Sequence, residues 1–398
     1  MNLVSEARSI ASELVALRRR LHRIPEIGLE LPKTQAEVLA ALDGLPLEIS
    51  TGKHVSSVTA VLRGAKPGPV VLLRGDMDAL PITEAVDVDF VSQHDGVMHA
   101  CGHDLHTAGL VGAARLLSAH QDALAGDVVF MFQPGEEGYD GAGHMLTEGV
   151  LHAAGRPVDA AFGLHVWSGT YPNGVFTARP GPMMAASDGL FVTVKGAGGH
   201  GSTPHVTRDP IPAACEMVTA LQTLVTRRFN TFDPVVLTVG EFHGGNQRNI
   251  IPDTATFSAT VRSFDPKVRE QLASETVRLC EHLGQAYGLE VEANYEYEYP
   301  ALINDASAAR FVADTVTDLF GGDRYQHMDN PQMGAEDFSR ILNEVPGAYV
   351  FLGACCSDDP ASAPSNHSPR SAFDDDVVSD GAALLAELAL RHCTGSSA

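Results

Sequence analysis

The chain has 398 residues, enough for two or three packed domains at roughly 150 residues each, which excludes a small disulfide-stapled scaffold. Hydrophobic residues make up 44% and charged residues 19%, the balance of a compact globular chain and not of a disordered or membrane-embedded one. Its 27 basic and 50 acidic residues leave a formal charge of −23; such a surface repels phosphate backbones and anionic membranes, so neither nucleic acid nor a membrane is an expected partner.

The first segment carries charges throughout a helical repeat of Leu3, Ile10, Leu14, Leu17 and Leu21, unlike the uncharged apolar stretch of a secretory leader. No window approaches the run of about 18 apolar residues needed to span a bilayer. Six cysteines, at 101, 215, 280, 355, 356 and 393, show no regular disulfide spacing, and a reducing cytoplasm is the expected setting. Over roughly the first 180 residues, helical patterns alternate with short apolar runs of the kind buried on both faces of a mainly parallel sheet. Three of these runs, 70–73, 128–132 and 160–164, lead into RGDMDALP, QPGEEG and His165. Each polar cluster is predicted to begin just beyond the carboxyl end of its strand, where open α/β sheets hold their ligands.

Near Met183 the texture changes. Alternating strands in SDGLFVTVKGAGGHG, PVVLTVGEFHGG, PDTATFSATVRSF and EVEANYEYEY are separated by predicted helices over 212–228 and 266–287. This β-α-β-β-α-β order predicts a two-layer sandwich. After Pro300 the earlier style returns, with helices over 306–320 and 376–391, the apolar run AYVFLG and the loop DDPASAPSNHSP. The expected fold class is therefore α/β: a mixed, mainly parallel sheet flanked by helices, built from 1–182 and 299–398, with an α+β two-layer sandwich inserted over 183–298.

The densest chemistry lies in MHACGHDLHTAG, which puts His99, Cys101, His103, Asp104 and His106 together before an alanine-rich helix. Cys101 and His103 flank a glycine, so a tight turn would aim both at one point, and sulfur with imidazole suits zinc or a similar divalent ion. The plain alternative is a polar helix start capped by Asp104. GEEG adds Glu136 and Glu137 between glycines; because adjacent strand side chains alternate faces, one is free to bind metal while the other moves protons. A solvated acidic loop is the plain reading of an isolated pair. His165 ends an apolar run, and His367 lies in SNHSP. Together Cys101, His103, Glu137, His165 and His367 offer five ligands, one more than a closed tetrahedral site needs and suited to two metals sharing a bridge.

RGDMDALP, HACGHD, PGEEG, GLHVW, GAGGHGSTPH, NIIPD, GAEDFS and NHSP occur in the order seen in the metal-dependent amidohydrolase/aminoacylase/carboxypeptidase family, which includes hippurate and auxin-conjugate hydrolases. The chain resembles that family from LHRIPEIGLE to its last helix. The resemblance implies a dinuclear metallopeptidase-like catalytic domain holding two divalent ions per subunit (zinc, manganese, cobalt or nickel), with Cys101 as the bridge and Glu136 as general base. It implies hydrolysis of the amide bond of N-acyl-L-amino acids to a carboxylic acid and a free amino acid. The alternatives are a carboxypeptidase or dipeptidase acting on short peptides, and a non-catalytic metal-binding member of the fold. It also implies that the insertion is a dimerisation domain of a homodimer or dimer-based oligomer, that His200 reaches the neighbouring subunit's site, and that Asn249 and Arg262 contact substrate. Beside these stand plainer readings: GAGGHGSTPH as a flexible glycine turn, Arg262 as a surface ion pair, and Asp78 as a structural turn residue. Arg74 stands where more distant relatives carry a metal-binding histidine, so the resemblance alone does not assign Asp76 the role of orienting a ligand.

Overall fold

The computed structural model describes residues 2–395. The chain divides into two compact units, one of residues up to 183 with 303–330 and 340–398, the other of 184–302 with 331–339.

The larger unit contains an eight-stranded sheet ordered Leu47–Thr51, Val58–Arg63, Ala125–Gln133, Lys66–Asp76, Ala160–Trp167, Gly347–Gly353, Phe176–Ala178 and Tyr325–His327. Ala125–Gln133, Lys66–Asp76, Ala160–Trp167 and Gly347–Gly353 run parallel at its centre, and antiparallel pairs lie on either side of them. This is the mixed, mainly parallel sheet expected. Val70 to Leu73 and Val128 to Phe132 are fully buried, because a central parallel strand has helices or loops on both faces. Two of the strands run further than their apolar runs suggest. Arg74 and Asp76 still pair with Gly163 and Gln133, and His165 pairs with Phe351 inside its strand. Backbone pairing is indifferent to the polar side chains there. The GEEG segment, by contrast, lies wholly beyond the end of Ala125–Gln133.

The smaller unit is an antiparallel four-stranded sheet ordered Val236–Gly244, Thr254–Ser263, Ala186–Lys195 and Glu290–Tyr299. Alternate residues Ala255, Phe257, Ala259 and Val261 join a core with Ala213, Met217, Leu221, Leu272 and Cys280 from helices Pro210–Arg228 and Pro266–Ala286. Each helix starts with a proline after an aspartate whose side chain accepts backbone N–H groups: Asp209 from Ile211, and Asp265 from Lys267 and Val268. That cap explains why the first helix begins two residues before the predicted start. Residues 331–339 belong with this unit: the Ala185 N–H donates to the Gln332 and Gly334 carbonyls.

Candidate metal centre

The turn that carries Cys101 and His103 depends on Gly102. Its φ is +83°, and a Cβ there would lie 2.4 Å from Val166 Cγ2, so a left-handed backbone and close strand contact both require glycine. Gly102 also occupies the N-cap of helix His103–Ala119, so the alternative reading, a helix start capped by Asp104, does not hold. Asp104 is buried in the first turn of that helix, with Oδ2 2.9 Å from Arg18 Nε and 2.7 Å from His22 Nδ1. Burial alone would raise its carboxyl, but Arg18 and His22 outweigh burial and hold it far below the usual range.

Glu136 and Glu137 lie in a turn between Gly135 and Gly138, both at positive φ, so their different surroundings come from that turn and not from strand alternation. The Glu136 and Glu137 N–H groups donate to Asp78 Oδ1 and Oδ2 at 3.1 and 3.0 Å, and Asp78 Oδ1 also lies 3.3 Å from His103 Nδ1. Asp78 is thus more than a turn residue: it fixes the glutamate loop against the His103 ring. His367 has φ +67°, rare for a side chain of its size, with its N–H donated to the Ala100 carbonyl at 3.0 Å.

These segments bring all five expected ligand residues together. Cys101 Sγ lies 3.4 Å from His165 Nε2 and 3.3 Å from His367 Nε2. Glu137 Oε1 lies 3.1 Å from His367 Nε2 and 3.9 Å from His103 Nε2. Donor atoms of Cys101, His103 and His165 fall within 4.8 Å of one another, as do those of Cys101, Glu137 and His367, and those of His103, Glu136 and Glu137. The His367 side chain is 54% exposed and marks the mouth of the cluster. His165 Nδ1 donates to the Val166 carbonyl at 2.7 Å, which turns Nε2 toward the sulfur.

Both His103 ring nitrogens are buried without a hydrogen bond of acceptable geometry. Hydrogen bonds to the Cys101 sulfur and then to Glu137 push His367 up to about 10. His103 is also raised: burial opposes its charge, but Asp76 and Cys101 win. Burial drives His165 well below its ordinary value. A cluster that draws protons onto two imidazoles is one that demands positive charge, and its sulfur, imidazole and carboxylate donors fit divalent cations.

Beneath the cluster lies a layer built from Asp76, Arg74, Gln133 and His106. Asp76 Oδ1 is 2.5 Å from His106 Nδ1, and Oδ2 is 2.5 Å from Arg74 Nη1 and 3.6 Å from His103 Nε2. Asp76 therefore does bear on the site, a role the resemblance alone had left unassigned. Arg74 Nε donates to Gln133 Oε1, and Nη1 donates to the Tyr349 hydroxyl oxygen. His106 Nε2 accepts the Val166 N–H at 2.8 Å, which anchors the strand carrying His165. The spacing D-x-D and the H-D-x-H run were the available signals.

In the smaller unit, Gly199–His200 pairs with Ile250–Ile251, and the Gly201 N–H donates to the Asn249 carbonyl at 2.8 Å. His200 and Asn249 thus share one edge. His200 is exposed, and its Nδ1 accepts the Ser202 N–H at 3.1 Å. A nitrogen that accepts from a backbone donor carries no hydrogen, so Nε2 is the donor. Arg262 is not with them. It sits eight residues along the strand that starts at Thr254, roughly 26 Å at about 3.3 Å per residue. Burial lowers its pKa against the pull of Glu298 and Asp188.

A sulfur, three imidazoles and a carboxylate at the carboxyl edge of a mainly parallel sheet, with a second buried carboxylate alongside, define a metallohydrolase type of centre. The chain belongs to Peptidase family M20/M25/M40, whose model matches residues 72–391. It is 37% identical to "Thermostable carboxypeptidase 1" of Saccharolobus solfataricus, over 98% of either chain. It is 35% identical to "N-acetyl-L-cysteine deacetylase" of Bacillus subtilis, over 96% of this chain and 89% of the relative. The crystal structure of Bacillus subtilis YXEP, described as a dinuclear metal binding peptidase from the M20 family, matches with a TM-score of 0.82 at 31% identity, covering 96% of this chain and 98% of that one.

Proposed function

We propose that the protein is a dinuclear metal-dependent amidohydrolase that cleaves N-acyl-L-amino acids to a carboxylic acid and a free amino acid. The observation that carries this reading is the Cys101 sulfur, common to two ligand groups, 3.4 Å from His165 Nε2 and 3.3 Å from His367 Nε2. In this reading Cys101, His103, Glu137, His165 and His367 hold the ions. Two bound divalent ions supply Lewis acidity at the scissile carbonyl and a water that ionises near neutral pH. Glu136, in the turn next to Glu137, takes the proton from the attacking water and hands it to the departing amine. His200 presents Nε2–H to the developing oxyanion, where loss of such a donor costs about 2.7–4 kcal/mol. Asn249, beside His200, serves the carboxylate-bearing half of the substrate; Arg262, at the other end of the strand from Thr254, stands apart from that pair and is not given the same role.

A homodimer in which His200 serves the neighbouring subunit's site is part of the proposal, as is a cytoplasmic setting. Among the described residues all six cysteines are free thiols, and no helix is long and apolar enough to cross a membrane.

The relative named as a deacetylase supports the acyl-amino acid reading, while the one named as a carboxypeptidase keeps a peptide substrate as the second reading. The deciding experiment reconstitutes metal-free protein with zinc, manganese, cobalt or nickel and offers N-acetyl and N-benzoyl amino acids beside dipeptides. Faster release of amino acid from the acyl substrates is the expected result. Preference for the dipeptides replaces this reading with the peptidase one, and inactivity on every substrate with every metal ends the catalytic reading.

A further inference from the structure

We propose that Asn366 is a positioning residue that ties three segments of the metal centre together and tunes the Cys101 sulfur through a hydrogen bond. It precedes His367 in the loop and reaches back over the cluster. Its Nδ2 lies 3.1 Å from the Val166 carbonyl oxygen, 3.3 Å from the Cys101 carbonyl oxygen and 3.7 Å from Cys101 Sγ. Its Oδ1 accepts the Ser168 N–H at 2.9 Å and lies 3.0 Å from Ser168 Oγ.

The amide orientation follows from the partners. A backbone N–H only donates and the two carbonyls only accept, so the oxygen faces Ser168 and the nitrogen faces Val166 and Cys101. One Nδ2 hydrogen goes to Val166, and the other is shared between the Cys101 carbonyl and sulfur. The Val166 carbonyl is also the acceptor for His165 Nδ1 at 2.7 Å. A single side chain therefore joins the Cys101 turn, the His165 strand and the His367 loop.

Hydrogen bonds from neighbours that orient metal ligands typically account for 10- to 100-fold in metal affinity. A donor on sulfur also stabilises its lone pairs, so removing it raises their energy. The sulfur-to-metal charge-transfer transition then moves to lower energy. A residue that merely packed the loop would leave that transition in place.

The proposal rests on Cys101 being a metal ligand, and the test separates the two. Cobalt(II) is titrated into metal-free wild type, Asn366→Ala, Asn366→Asp and Ser168→Ala. The sulfur-to-cobalt absorption is recorded, affinity is measured against a chelator, and folding is checked by thermal melting. Asn366→Asp keeps the shape and the oxygen facing Ser168 while removing both N–H groups, and it decides the matter should Asn366→Ala not fold. The expected result is a shift of the absorption to lower energy in both Asn366 variants, with a 10- to 100-fold loss of affinity, and little change in Ser168→Ala. An unmoved absorption in Asn366→Asp overturns the proposal, even if affinity falls. No sulfur-to-cobalt absorption in the wild type removes the ligand assignment, and this inference with it.

Discussion

Glu136 and Glu137 are neighbours in the chain but are offered different chemistry. Both donate their N–H to Asp78, but Glu137 Oε1 faces His367 and His103, whereas Glu136 is only 7% exposed. If Glu136 is the proton carrier, Glu136→Gln retains two metal ions by elemental analysis while kcat falls roughly 100- to 10,000-fold. Near-normal turnover, or loss of metal, contradicts the assignment. That Cys101, His103, Glu136, Glu137, His165 and His367 would gather in one cluster was legible from residue type and from where these residues stand along the chain. Asp78 was not, since its partners Glu136 and Glu137 lie 58 and 59 positions along the chain and no local pattern points to them.

At the scale of elements, the Cys101 turn and the first long helix each offer a test. Gly102→Ala places a Cβ 2.4 Å from Val166 Cγ2 at a φ of +83°; a strained left-handed residue costs about 1–3 kcal/mol, and the clash must push the Cys101 turn away from the His165 strand. The variant is expected to melt at lower temperature and bind metal more weakly; wild-type values for both would mean the turn is not what aims these ligands. Helix Ala11–Arg23 delivers Arg18 and His22 to Asp104. Burial alone would lower the His22 pKa, but Asp104 and then Glu84 raise it above its ordinary value. The folded value lies above the unfolded one near 6.5, so this stabilisation is complete below about pH 6.5 and is lost as pH rises through the folded value. Chemical denaturation of wild type and His22→Gln at a series of pH values from 6 to 9 should show their stability difference shrinking as pH rises. A constant difference refutes the charged His22. The apolar runs and the helical repeat were readable as elements, but this ion cluster was not, because a histidine in LHRIP and an aspartate in GHDLH meet only through packing.

For the whole molecule, the proposed dimer predicts complementation. Mixed dimers with one His200→Ala chain and one Glu136→Gln chain contain one site in which an intact Glu136 meets a partner's intact His200. Activity should reappear there although each parent homodimer is inactive, and no recovery in verified mixed dimers defeats cross-subunit catalysis. Ser202 enters the same test: its N–H keeps His200 Nδ1 an acceptor, which gives Nε2 the hydrogen the role requires.

By itself the sequence determined the donor set, its order along the chain and the alternation of buried strands and amphipathic helices, because ligand chemistry and hydrophobic period are local properties of side chains. Only the tertiary structure decided that one sulfur lies between His165 and His367, that Gly102 and not Asp104 caps the helix, and that Asp76, Asp78, His106 and Asn366 stand behind the clustered donor atoms. Cys101 is 64 residues from His165 and 266 from His367. Contacts of that separation depend on how strands and loops pack and on the direction each side chain takes, which the period of a pattern does not specify.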